Sequence, residues 1–174
     1  MTTWVRRLLV ANVIVFFLEN VMPGLERQLA FVPAYAFSQP WTFVTYMFTH
    51  ASITHILFNM IALYFFGPRV EDRLGSSRFI TLYTIAGLSG ALLSMVLARN
   101  APIVGASGAV FGVTLAFAWF WPTVQILIWG ILPVQAWLLV AFYVGYSLLS
   151  GMNGSRGPCS PAILGTSAAD FRLG

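Results

Sequence analysis

The segment "GASGAVFG", Gly105–Gly112, decides how tightly this chain can pack, because five of its eight residues are glycine or alanine. Gly108, Gly112 and Ala116 recur every four residues, which places them on one face of a helix and lets a second helix approach closely. The preceding apolar stretch carries matching small residues at the same spacing: Gly87 with Ala91, and Gly90 with Ser94. Each pattern lets another helix approach closely, without indicating which helix that is.

Ser107 lies inside this segment and has two interpretations. A serine among glycines and alanines is ordinarily a packing residue. A serine that opens a helix also lies beside free backbone N–H groups and the positive end of the helix dipole, which can stabilise an oxyanion. A hydroxyl nucleophile at that position would need a base within hydrogen-bond reach.

The composition of the 174 residues is that of an integral membrane protein. Hydrophobic residues make up 59% of the chain and charged residues only 8%, whereas soluble domains carry about 25% charged residues. The net charge of +4 comes from arginines alone, and in a membrane protein it reports topology and does not indicate nucleic-acid binding. We therefore predict an all-α polytopic membrane protein whose solvent is the lipid bilayer.

The apolar stretches predict five membrane spans, and the arginines predict their orientation. We predict that the second span ends at Gly67-Pro68, because a glycine followed by a proline ordinarily terminates a helix. Arginines at the start of the first span and between the second and third belong on one side, which the positive-inside rule makes cytoplasmic together with the N-terminus. The loop of almost thirty residues after the first span then faces outward and is expected to form short interfacial helices. The predicted spans are Val5–Met22, Ser52–Phe66, Arg78–Ala98, Ser107–Trp121 and Gln135–Leu149.

The two histidines of the chain both fall in "HASITHILFN", His50–Asn59. His55 and Asn59 are four residues apart and share a helix face. One interpretation is interhelical hydrogen bonding, a common use of such residues in membranes. A metal site is disfavoured, because two histidines without a nearby carboxylate or thiol leave the coordination sphere half empty.

Taken together, "HASITHILFN", "FFGPRVEDRLG" and "GASGAVFG" resemble the rhomboid family of intramembrane serine proteases, over about Ala36 to Leu149. The resemblance implies a rhomboid-like helical bundle, no metal and no cofactor, and transmembrane proteins as substrates. It implies that Ser107 is the nucleophile and that His55 and Asn59 form the oxyanion site. Supporting roles fall to Gly105, Gly108, Phe111 and the structural His50.

The resemblance also implies a sixth span with a histidine base, and the chain has no histidine after His55. We therefore expect residues 1–150 to form an incomplete rhomboid-like domain, and residues 151–174 to be a disordered tail of small and polar residues outside the family pattern. A change this abrupt is what a truncated gene or a reading-frame slip would produce.

Three functional hypotheses remain open from the sequence. The first is a serine endopeptidase in the membrane of a prokaryote, whose activity is low because its usual base is absent. The second is a non-proteolytic rhomboid-like protein that binds transmembrane helices. The third is a non-functional gene fragment.

Overall fold

The computed structural model describes residues 1–97, 101–128, 132–135 and 137–138, and six helices in this part confirm the predicted helical bundle. It adds one element to the all-α prediction, a small antiparallel ladder of β1 (Gln125–Ile128) and β2 (Leu132–Gln135). The apolar, β-branched run of β1 favours a strand. The helices are α1 (Thr3–Val21), α2 (Leu25–Leu29), α3 (Thr42–Thr45), α4 (Ile53–Leu74), α5 (Ser76–Leu97) and α6 (Ser107–Phe120).

Four of the five predicted spans correspond to helices. Of the described helices, α4 and α5 are long and apolar enough to cross a bilayer. The other two are α1, which is interrupted by charged residues, and α6, whose 14 residues reach about 21 Å against a hydrocarbon core of roughly 30 Å. The fifth predicted span, apart from Gln135, Trp137 and Leu138, lies outside the described residues, as does the predicted tail. The long loop contains α2, α3 and two 3₁₀ turns, so the prediction of short helices there is confirmed.

The prediction that Gly67-Pro68 ends the second span is wrong, because α4 continues for six residues beyond Pro68, to Leu74. Proline removes one backbone N–H from a helix, and membrane helices tolerate this where neighbouring helices supply support. The residue before the proline packs closely on α1: a Cβ on Gly67 would lie 2.6 Å from Cγ2 of Val5. The glycine therefore serves close packing between α1 and α4.

The helices bury polar side chains and expose apolar ones, which suits a lipid environment. On α4, Asn59 and Glu71 are buried, whereas Phe58 and Phe65 are each more than 60% exposed. On α5 and α6, Val96 and Trp119 are about 80% exposed. Large apolar patches on a surface mark contact with lipid or with another protein.

The small-residue faces of α5 and α6 pack against each other, a pairing that the sequence pattern did not specify. A Cβ on Gly112 would overlap the Ala86 methyl group, and a Cβ on Gly108 would lie 3.7 Å from the Ala86 carbonyl oxygen. Gly90 of α5 lies opposite Gly108 of α6, as Ala86 lies opposite Gly112. Because this pairing is antiparallel, the first turn of α6 lies at the same end of the bundle as the last turns of α5.

Glu71 joins the opposite end of the bundle. Its carboxylate accepts hydrogen bonds from the backbone N–H groups of Trp4 (3.0 Å) and Val5 (3.0 Å), and from the Ser76 hydroxyl (2.7 Å). Thr2, the N-cap of α1, makes no side-chain cap of its own. Glu71 of α4 therefore caps α1, where a carboxylate also favours the helix dipole.

We predict that Glu71→Ala lowers the free energy of unfolding by about 3 kcal/mol, because it leaves buried backbone N–H groups without their charged partner. Thermal or denaturant unfolding in detergent micelles measures the change. Asp72→Ala, at the exposed neighbouring position, is the matched control and should stay within about 0.5 kcal/mol of the parent chain. Equal losses in the two variants would contradict the capping role.

Candidate functional site

The segment that leads into α6 is held by the long loop between α1 and α4. Phe31 and Ile103 form an antiparallel bridge, with N–H to carbonyl distances of 3.0 and 2.8 Å. Two residues later, the Gly105 N–H donates to the Tyr46 carbonyl at 2.8 Å. The Tyr46 hydroxyl in turn donates to the Gly87 carbonyl of α5 at 2.7 Å. These bonds fix the position at which α6 begins.

Gly105 packs directly against the imidazole ring of His55. Its φ of +110° lies in the region that favours glycine, and a Cβ there would lie 2.5 Å from Cε1 and 2.7 Å from Nε2 of His55. No side chain larger than hydrogen fits between the two residues. The structure thus brings together two predicted site residues that are fifty positions apart. It places the His55 ring against Gly105, which precedes Ser107 by two residues.

His55 lies in the first turn of α4 and is fixed by local hydrogen bonds. Ser52 caps the helix, its hydroxyl oxygen accepting from the His55 N–H at 3.1 Å. One turn later, the Asn59 side-chain amide donates to the His55 carbonyl at 3.0 Å. Asn59 is buried and His55 is half-buried. The predicted shared face of these two residues is therefore present.

His50 stacks edge-on against His55, with ring centroids 5.1 Å apart and planes at 68°. Its Nδ1 lies 3.2 Å from the Phe48 carbonyl, so this nitrogen carries the proton in the neutral ring. Burial, helped by the neighbouring His55 and partly offset by the Phe48 carbonyl, lowers the pKa of His50 to about 4. His50 is therefore neutral at pH 7.

Ser107 is the first residue of α6, as predicted, and is half-buried. Ala106 precedes it at the N-cap position and provides no capping side chain. The backbone N–H groups of the first turn of α6 are thus left without a side-chain cap. Within the described part of the chain, the Ser107 hydroxyl makes no hydrogen bond. The predicted supporting residue Phe111 lies half-buried against the core, one turn along.

The sequence reasoning did not identify Glu19 as part of this region. Its carboxylate Oε2 accepts from the backbone N–H of His50 at 3.2 Å. The available signal was a lone acidic residue in an apolar stretch, since intramembrane carboxylates usually have a specific partner. Among the described residues, no three His, Cys, Asp or Glu side chains are placed to hold a metal ion.

Comparison with known proteins identifies relatives for most of the chain. The Rhomboid domain family model matches residues 38–165, almost three quarters of the sequence, and so reaches into the predicted tail. The chain is 34% identical over 113 residues to Rhomboid-like protease 3 of Toxoplasma gondii, covering 60% of this chain and 43% of that protein. It is 40% identical over 101 residues to Rhomboid protein 1, mitochondrial, of Saccharomyces cerevisiae, covering 55% and 29%.

A bacterial relative matches a shorter region. Rhomboid protease GluP of Bacillus subtilis is 42% identical over 72 residues, covering 41% of this chain and 14% of that protein. The chain spans less than half the length of each of these three relatives.

We predict that Gly105→Ala destabilises the chain more than Gly24→Ala does. Both glycines have positive φ, but the space around Gly24 is open, so the second variant isolates backbone strain from contact with His55. We expect a cost of about 1 kcal/mol for Gly24→Ala and about 3 kcal/mol for Gly105→Ala. Thermal unfolding in micelles measures both. Equal costs would show that the His55 contact contributes nothing.

We also predict that His50 makes stability depend on pH. The unfolded imidazole, with its ordinary pKa of 6.5, takes up a proton as the pH falls, while the folded ring stays neutral until about pH 4. Stability is therefore complete above pH 6.5 and declines toward pH 4, by about 2 kcal/mol at pH 5. The measurement is the difference between the parent chain and His50→Gln in unfolding at pH 7.5 and pH 5. A difference that does not change with pH would contradict this assignment.

Proposed function

This chain belongs to the rhomboid family, and on that premise we propose that it is an intramembrane serine endopeptidase with Ser107 as its nucleophile. The observation that carries the proposal is the contact between Gly105 and the His55 imidazole. That contact brings the polar start of α4 against the start of the serine helix. The substrates we propose are transmembrane proteins, cleaved near the membrane surface at which α6 begins.

The proposed reaction is acyl transfer to the serine followed by hydrolysis. The Ser107 hydroxyl attacks the carbonyl of the scissile peptide bond, and its proton passes to a base. The negative charge develops on the carbonyl oxygen, where the uncapped N–H groups of α6 can donate to it. The small residues around Ser107 leave room for the substrate backbone.

His55 and Asn59 are the side chains proposed to complete the oxyanion site. The Asn59 amide has two hydrogens, and its bond to the His55 carbonyl uses one of them. His55 Nε2 lies at the Gly105 side of the ring, toward the residues that precede α6. Removing a single donor of an oxyanion site typically lowers kcat by about 10²–10³.

The family's base is a histidine on a sixth span, and residues 1–174 contain no histidine after His55. His50 and His55 are their only histidines, and the proposal assigns His55 to the oxyanion site. Loss of one member of such a catalytic unit costs several orders of magnitude in rate. We therefore propose that the 174-residue chain cleaves its substrates slowly.

The shortage of histidines also favours a second function, the binding of transmembrane helices without cleavage. In that case the exposed apolar faces of α5 and α6 would receive the client helix, and Ser107 would be dispensable. For either function, a multi-pass position in a prokaryotic membrane with a cytoplasmic N-terminus remains our proposal.

We predict that added imidazole accelerates cleavage by this chain, because a soluble base can replace an absent one. The experiment reconstitutes the chain in liposomes with a fluorescent transmembrane reporter and measures cleavage with and without imidazole. We expect the parent chain to cleave the reporter slowly without imidazole and severalfold faster with it. The Ser107→Ala variant should not cleave the reporter under either condition.

Two results would contradict parts of this proposal. Rapid cleavage without imidazole that disappears in Ser107→Ala, and that added imidazole restores to His55→Ala, would make His55 the base. Absence of Ser107-dependent cleavage under all conditions, together with retained binding of the reporter by Ser107→Ala, would favour the helix-binding function.

A further inference from the structure

Glu19 is the only acidic residue of α1, and it lies in the last turn of that helix. Its carboxylate reaches across 31 positions of sequence to accept the His50 backbone N–H at 3.2 Å. The proposed reaction gives Glu19 no role. A carboxylate within an apolar helix is costly unless it serves a specific partner, and here the partner is the loop that carries His50.

From His50 the contact continues to His55 and then to the serine helix. The His50 ring packs edge-on against the His55 ring, and the Cε1–Nε2 edge of the His55 ring meets Gly105. Ser52 and Asn59 bind only the backbone of His55. His50 and Gly105 are thus two packing neighbours that constrain the orientation of the His55 imidazole.

Three buried polar atoms in this region lack hydrogen-bond partners among the described residues, so few bonds hold the two rings in place. These atoms are Glu19 Oε1, His50 Nε2 and His55 Nδ1. Metal coordination does not account for them, because these side chains are not placed as a ligand set. The Glu19–His50 bond is the side-chain hydrogen bond that joins the His50 loop to α1 in the described part of the chain.

We propose that Glu19 is a positioning residue that holds His50, and through it fixes the orientation of the His55 imidazole. The proposal rests on the proposed function in one respect, since that function makes His55 part of the oxyanion site. It requires an acceptor at position 19 with the reach of glutamate. It does not require a negative charge there, because a neutral carbonyl oxygen also accepts from a backbone N–H.

The test reads the two histidine rings directly by NMR. Only two histidines are present, so a chain labelled with ¹⁵N-histidine in nanodiscs gives two ring spectra, and His50→Gln assigns them. The variants are Glu19→Leu, which removes the acceptor, Glu19→Gln, which keeps it, and Glu19→Asp, which withdraws it by one methylene. Glu26→Leu, at another half-buried acid that makes no bond to the His50 loop, is the matched control.

We expect Glu19→Leu to shift the ring nitrogen resonances of both histidines, and Glu19→Gln and Glu26→Leu to leave them at their original positions. A folded Glu19→Leu chain with unchanged His55 resonances would overturn the proposal. If Glu19→Leu fails to fold, Glu19→Asp is judged by the same criterion. Failure of both to fold, with Glu19→Gln unchanged, would make the role of Glu19 purely structural and also overturn it.

The resonances do not depend on any reaction at Ser107. Absence of Ser107-dependent cleavage would refute the proposed function and leave the spectra unaffected. Unchanged His55 resonances in Glu19→Leu would refute the positioning role and leave cleavage unaffected. The two failures are therefore distinguishable.

Discussion

The close packing of Gly105 against the His55 imidazole is the contact on which this end of the bundle depends. It requires a residue without a side chain at position 105 and a backbone with positive φ, and glycine meets both conditions. The loop after α1 provides the support, through the Phe31–Ile103 bridge and the Tyr46 carbonyl. A helix that begins at Ser107 is thereby placed against the polar start of α4.

Two carboxylates hold α1 at its opposite ends, and both reach the part of the chain that contains α4. Glu71 caps the first turn of α1, and Glu19 in the last turn binds the loop just before α4. A backbone N–H group that has no partner within a helix is costly to bury, and a carboxylate that accepts from it makes a charge-assisted hydrogen bond. Between these ends, Gly67 lets α1 and α4 pack without intervening side chains.

The sequence predicted well those features that depend on local periodicity. The starts of α4 and α6 and the shared face of His55 and Asn59 follow from spacings of three or four residues. The small-residue spacing predicted a close helix neighbour for α6, but not that this neighbour is α5. The rule for Gly67-Pro68 failed because it treats the pair in isolation, whereas packing against Val5 and the need to present Glu71 one turn later both favour a continuous helix. Glu19 was missed because its partner is 31 residues away, and no local pattern reports a contact of that kind.

Different residues of the small-residue segment around Ser107 make different contacts. Gly108 and Gly112 meet α5, and Gly105 meets His55, so the packing of this segment is accounted for without the serine. Ser107 itself is half-buried, and its hydroxyl makes no hydrogen bond within the described part of the chain. The hydroxyl is what distinguishes Ser107 from the alanines beside it. Its position at the uncapped start of α6, two residues after the glycine that meets His55, supports our proposal that it acts as a nucleophile.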